Sequence, residues 1–94
     1  MRIDLLLKSL CLVKTRNQGR KGCEAGYIKL NGTATKPGRS VRVGDILEIR
    51  YPHRFLVVEI IDIPVRQVAK KDRDRYIRVI RESPLRGGDG EWDV

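Results

Sequence analysis

Residues 14–32 read Lys14-Thr15-Arg16-Asn17-Gln18-Gly19-Arg20-Lys21-Gly22-Cys23-Glu24-Ala25-Gly26-Tyr27-Ile28-Lys29-Leu30-Asn31-Gly32. Thr15 with Gln18 three residues on is a capping-box pattern: the hydroxyl accepts from a free amide of a new helix while the Gln side chain reaches back. A short helix from about Arg16 to Glu24 follows, and Gly26 ends it in the left-handed position after the C-cap. The period then changes from helical to two. Tyr27-Ile28-Lys29-Leu30 reads as a short strand. Asn31-Gly32 reads as a type I′ hairpin turn, whose two central residues both need positive φ. Gly19 costs the helix about 1 kcal/mol relative to Ala, which points to a packing or ligand-approach reason for it.

Upstream, Ile3, Leu6, Leu7, Leu10 and Val13 fall at helical spacing, so an amphipathic helix is expected over residues 3–13. Its wide apolar face needs something to pack on. Downstream, Thr33-Ala34-Thr35 is the return strand of the hairpin, and Lys36-Pro37-Gly38-Arg39-Ser40 is a loop. Val41 and Val43 alternate with Arg42. Gly44-Asp45 turns the chain into a strand at Ile46-Leu47-Glu48-Ile49-Arg50. After a turn at residues 51–54, Phe55 to Ile63 reads as a long strand closed by Pro64. Residues 69–76 read as a polar helix. Residues 77–81 suit either an extension of that helix or an edge strand. The Pro- and Gly-rich residues 83–94 are expected to form a flexible tail.

The chain has 94 residues, which suits one domain with one modest core. No apolar run approaches the length of a membrane span. Asp4 sits where the basic region of a signal peptide belongs, so a cytoplasmic location is expected. Cys11 and Cys23 read as structural thiols, not as a disulfide framework or a zinc site. His53 is the single histidine. No motif gives it a nucleophile or an orienting acid, so catalysis is not expected.

Twenty Lys and Arg against twelve Asp and Glu leave a net charge of +8. Residues 1–50 hold eleven basic and four acidic residues, a net +7, whereas residues 51–94 hold nine and eight, a net +1. A polyanion should therefore meet the N-terminal half. Lys14, Arg16 and Arg20 surround the start of the capped helix, where free amides and the dipole favour phosphate. Arg2 opens the first helix and Lys36 lies in the Pro37-Gly38 loop. If that loop neighbours the capped helix, one face carries five or more cations, enough to track a phosphate backbone. Five aromatic residues, with Trp92 near the C-terminus, make stacking a poor source of affinity. Structured RNA read by shape and phosphate position fits better.

Arg2-Ile3-Asp4, Leu6-Leu7, Lys14-Thr15-Arg16-Asn17-Gln18-Gly19-Arg20, Gly26-Tyr27-Ile28-Lys29-Leu30-Asn31-Gly32, Lys36-Pro37 and Gly44-Asp45 together resemble the S4-type RNA-binding domain over about residues 2–50. The resemblance implies an α+β fold: two N-terminal helices packed on a small, bent, mostly antiparallel sheet. A short C-terminal helix is expected beyond it. It divides the chain into an RNA-binding module at 1–50, an extension of the same domain at 51–82 and the tail. It assigns RNA contacts to Arg2, Lys14, Thr15, Arg16, Gln18, Arg20, Lys29 and Lys36, and Lys21 joins them as a further candidate RNA contact. It makes Asp4 an orienting partner of nearby cations, and Gly26, Asn31, Gly32 and Gly44 shape-setting positions. Gly19 departs from the family, where Ala is commoner.

The chain also looks like the bacterial heat shock protein 15 family and its small relative in ribosome-associated quality control. This implies ribosomal RNA of the large subunit and tRNA as partners. It implies a monomer with no cofactor, metal or membrane. A general S4 module in ribosome assembly, or beside an RNA-modifying enzyme, is the alternative. A sulfur-carrier or protein-interaction module is more distant, because residues 89–94 follow the Gly87-Gly88 pair.

Overall fold

The computed structural model describes residues 1–85. Helix α1 spans Ile3–Ser9 and α2 spans Arg16–Glu24. Five strands follow: β1 Ile28–Leu30, β2 Thr33–Ala34, β3 Ile46–Arg50, β4 Arg54–Ile60 and β5 Ile77–Pro84. A 3-10 helix at Lys70–Arg75 precedes β5. The strands form one antiparallel sheet in the order β2-β1-β3-β4-β5.

The helices lie against one face of this sheet because their apolar residues meet those of the strands. Ile3, Leu6, Leu7 and Leu10 are fully buried beside Ile28, Leu47, Ile49, Val58 and Ile60. Alternation along β3 and β4 sends every second residue into this core.

Helix α1 ends at Ser9, four residues before the expected Val13. Cys11 adopts φ 56°, which breaks the helix. The amides of Leu12 and Val13 both turn back to the Leu7 carbonyl. Leu10, Leu12 and Val13 are still buried, now by a turn. Distant residues hold that turn. The Tyr51 hydroxyl donates to the Leu12 carbonyl at 2.6 Å, and Arg73 donates to the Cys11 carbonyl at 3.0 Å. Burial pushes the Tyr51 phenol up, with the nearby Arg54 and Arg73 charges pulling the other way.

The hairpin forms where Asn31-Gly32 predicts it, with φ 52° and 82° at the two residues. Asn31 also ties the turn to the next strand. Its Oδ1 accepts from the Ile46 amide at 2.8 Å and its Nδ2 donates to Asp45 at 3.2 Å. Asn31→Ala removes both bonds and puts a less tolerant residue in the left-handed region. The expected cost is about 1–2 kcal/mol, read as a lower urea midpoint with an unchanged slope. An unchanged midpoint would show that the turn does not depend on this side chain.

The C-terminal half departs further from its expected form. Strand β4 stops at Ile60: the Ile61 amide still donates to the opposite Tyr76 carbonyl at 2.7 Å, but the Tyr76 amide turns back to the Arg73 carbonyl at 2.9 Å, so that pair is not completed. The polar helix expected at 69–76 is a 3-10 helix with no buried residue. The ambiguous 77–81 stretch is part of the edge strand β5. That strand includes Ser83 and Pro84, paired with Phe55 and Arg54 at the start of the expected tail. Residues 86–94 of that tail lie outside the described residues. No helix among the described residues is long and apolar enough to cross a membrane.

Candidate nucleic-acid interface

The start of α2 is built as the capping box requires. The Thr15 hydroxyl accepts from the Gln18 amide at 3.1 Å, and Gln18 Oε1 accepts from the Lys14 amide at 3.0 Å. The first-turn amides of Arg16 and Asn17 have no intrahelical acceptor and lie at the positive end of the dipole. Burial fixes which way the helix faces. Gly19, Gly22 and Cys23 point to the core. At about 100° per residue, Arg16, Arg20, Glu24, Asn17 and Lys21 then share one exposed arc.

Gly19 is where the two helices touch. A Cβ there would stand 3.2 Å from the Asp4 carbonyl oxygen and 3.3 Å from Leu7 Cδ1. This close approach is the packing reason expected for the glycine. It also brings the α2 cations to the start of α1.

Asp4 lies at the centre of the resulting cluster and is 3% exposed. Its carboxylate accepts from the Leu5 amide at 2.8 Å. It also lies 3.4 Å from the Nε atoms of both Arg2 and Arg16. Those guanidinium groups are about half exposed, so the pairs contribute little stability and serve mainly to aim the two cations. Arg20 donates to Asn17 Oδ1 at 2.6 Å. Arg2, Asp4, Arg16, Asn17 and Arg20 thus line one open cleft. Like charges at i and i+4, as at Arg16 and Arg20, repel each other, and an anion between them relieves that repulsion.

The 36–39 loop docks beside this cluster. The amides of Ile3 and Asp4 donate to the carbonyls of Arg39 and Pro37 at 2.8 and 3.2 Å, which satisfies the first turn of α1. The Arg2 guanidinium lies against Gly38. A second cleft separates this loop from the end of α2 and is lined by Cys23, Glu24 and residues 34–39. Burial pushes the Cys23 thiol up to about 12, helped by the Asp4 and Glu24 charges, so it stays neutral.

Of the nine residues assigned to RNA, Arg2, Arg16 and Arg20 converge on the Asp4 cleft. Lys14, Thr15, Gln18 and Lys21 lie in or beside α2, and Lys36 is on the docked loop. Lys29 is apart from them. It alternates with buried Ile28 and Leu30, so it occupies the sheet face turned from the helices, in register with Glu48. Asn17 and Arg39 were missing from the assignment. Asn17 could have been found from its i, i+3 spacing to Arg20, whereas Arg39 becomes visible only through the docking of its loop. Cys11 lies in the turn after α1, not on a helix, where its thiol donates to the Val68 carbonyl at 3.1 Å. Among the described residues no group of three or more His, Cys, Asp or Glu could hold a metal ion.

This pair of helices on a five-stranded antiparallel sheet, with its cations at the second helix, defines a known class. The family model of the S4 domain matches residues 1–47, and the chain belongs to the S4 domain family. Within it, the chain is similar to the RQC P-site tRNA stabilizing factor of Halalkalibacterium halodurans. The two are 35% identical over 85 residues, covering 90% of this chain and 96% of that protein. It is 37% identical over 78 residues to the Helicobacter pylori protein of the same name, covering 82% and 93%. Among solved structures it is similar to the trimeric structure of Vibrio cholerae heat shock protein 15. That match has a TM-score of 0.80 at 26% identity, over 84% of this chain and 80% of the other.

Proposed function

We propose that the chain is a non-catalytic RNA-binding protein that docks on the large ribosomal subunit, on ribosomal RNA and tRNA, in ribosome-associated quality control. The observation that carries this reading is the convergence of Arg2, Arg16 and Arg20 on the buried Asp4 at the start of α2. Such a cluster holds guanidinium groups at fixed spacing without neutralising them, which suits phosphates of a folded RNA. The relatives' name, RQC P-site tRNA stabilizing factor, supports the tRNA and quality-control parts of this reading.

In this reading residues 1–50 carry the RNA face. Residues 51–82 buttress it, because Tyr51, Val68 and Arg73 bond to the 9–12 turn between the helices. One copy suffices, since the Asp4 cleft is assembled within one chain. The place of action is the cytoplasm, where ribosomes are.

Sedimentation of the tagged chain in a bacterial lysate tests this. It should travel with the large-subunit fraction and be released into the top of the gradient when salt is raised. A chain that stays at the top at low salt contradicts the proposal.

A further inference from the structure

The second cleft, between the end of α2 and the 34–39 loop, differs chemically from the Asp4 cluster. Its walls are mainly apolar: Ala34, Pro37 and Gly38 on the loop side, and the buried, neutral Cys23 thiol on the helix side. Lys36 and Arg39 stand exposed at its rim. The lining holds one carboxylate, Glu24.

Glu24 is out of place by the rules that place the other charges. It is in the last turn of α2, where the helix dipole disfavours a carboxylate. It is exposed on the same arc as Arg16, Arg20 and Lys21. Yet it takes part in none of the ion pairs among the described residues. A carboxylate on a phosphate-binding face repels phosphate, but it attracts hydrogen-bond donors. RNA offers such donors on the exposed edges of unpaired bases.

We propose that this cleft takes one unpaired base of the bound RNA, guanine by preference, with its donor edge on Glu24 and its flanking phosphates on Lys36 and Arg39. The inference rests on the RNA-binding reading above and adds a base-specific contact to it. Guanine is favoured because its N1–H and N2 amino group are adjacent donors, matched to the two oxygens of a carboxylate. The uracil N3–H lies between two carbonyls that face the carboxylate. Adenine and cytosine place their amino group beside an acceptor. The apolar walls cover the faces of the ring without aromatic stacking.

The test uses fluorescence anisotropy on one RNA hairpin carrying a single bulged nucleotide: guanosine, inosine, adenosine or uridine. At low salt the guanosine bulge should bind about tenfold more tightly than adenosine or uridine, with inosine, which lacks the amino group, in between. In Glu24→Gln the preference should fall below about threefold, while the uridine bulge binds as well as before or better, because a repelling charge is gone. Glu24 is exposed, and the melting temperature checks that the variant folds. Equal affinity for all four bulges, or a guanosine preference that survives Glu24→Gln, overturns the cleft assignment and leaves the RNA reading standing. No binding of any hairpin by the unaltered chain overturns both.

Discussion

Leu7→Ala should lower the stability of the fold by about 2–5 kcal/mol, the range for truncating a fully buried leucine. Leu7 is completely buried at the contact between α1 and α2. A Cβ at Gly19 would stand 3.3 Å from its Cδ1, so the two surfaces already touch there. The cavity opens where α2 leans on α1, and the backbone of α2 cannot close it without moving Arg16 from Asp4. For a domain of this size the melting temperature should fall by roughly 10 °C or more. Thermal unfolding followed by circular dichroism reads this directly. A shift of a degree or two would show that the helices are not held by this contact.

The second large effect is on binding. Arg16→Ala combined with Arg20→Ala should weaken RNA binding at least about tenfold, since each lost charged hydrogen bond is worth about 1.5–3 kcal/mol. The fold should hardly notice. Arg16 is about half exposed in its pair with the buried Asp4, which keeps Arg2 as a partner, so losing Arg16 is expected to cost about 1 kcal/mol. Its loss is offset by removing a like-charged i, i+4 pair and by the helix preference of Ala. The pair of variants therefore separates the two roles: Leu7→Ala melts early, whereas the double Arg variant melts normally and binds poorly. A double variant that binds RNA as well as the unaltered chain would remove the site.

The parts of the fold legible in the sequence were those set by neighbours in the chain. Thr15 and Gln18 fixed the start of α2, Gly26 its end, and Asn31-Gly32 the hairpin. The end of α1 was not legible. Leu10, Leu12 and Val13 are apolar whether a helix or a turn buries them, and the turn is held by Tyr51 and Arg73, which are distant in sequence. The 3-10 form of residues 70–75 and the pairing of β5 with β4 are likewise tertiary outcomes.

The site divides the same way. Arg16 and Arg20 could be placed together from helical spacing alone, whereas Arg2 joins them only because Gly19 lets the helices approach and Asp4 is buried between them. Lys29 shows the limit of reading cations as a set. Strand alternation puts its side chain on the far face of the sheet, away from the Asp4 cleft.

The most direct test of the central claim is the salt dependence of binding to large-subunit ribosomal RNA fragments and to tRNA. If the α2 face and its docked loop neutralise about five phosphates, log affinity should fall against log salt with a slope of about −3.5 to −4.5. In the Arg16→Ala, Arg20→Ala variant the slope should become shallower by about 1.5. A slope near zero for the unaltered chain, or one that the double variant leaves unchanged, would contradict an RNA face built on these residues.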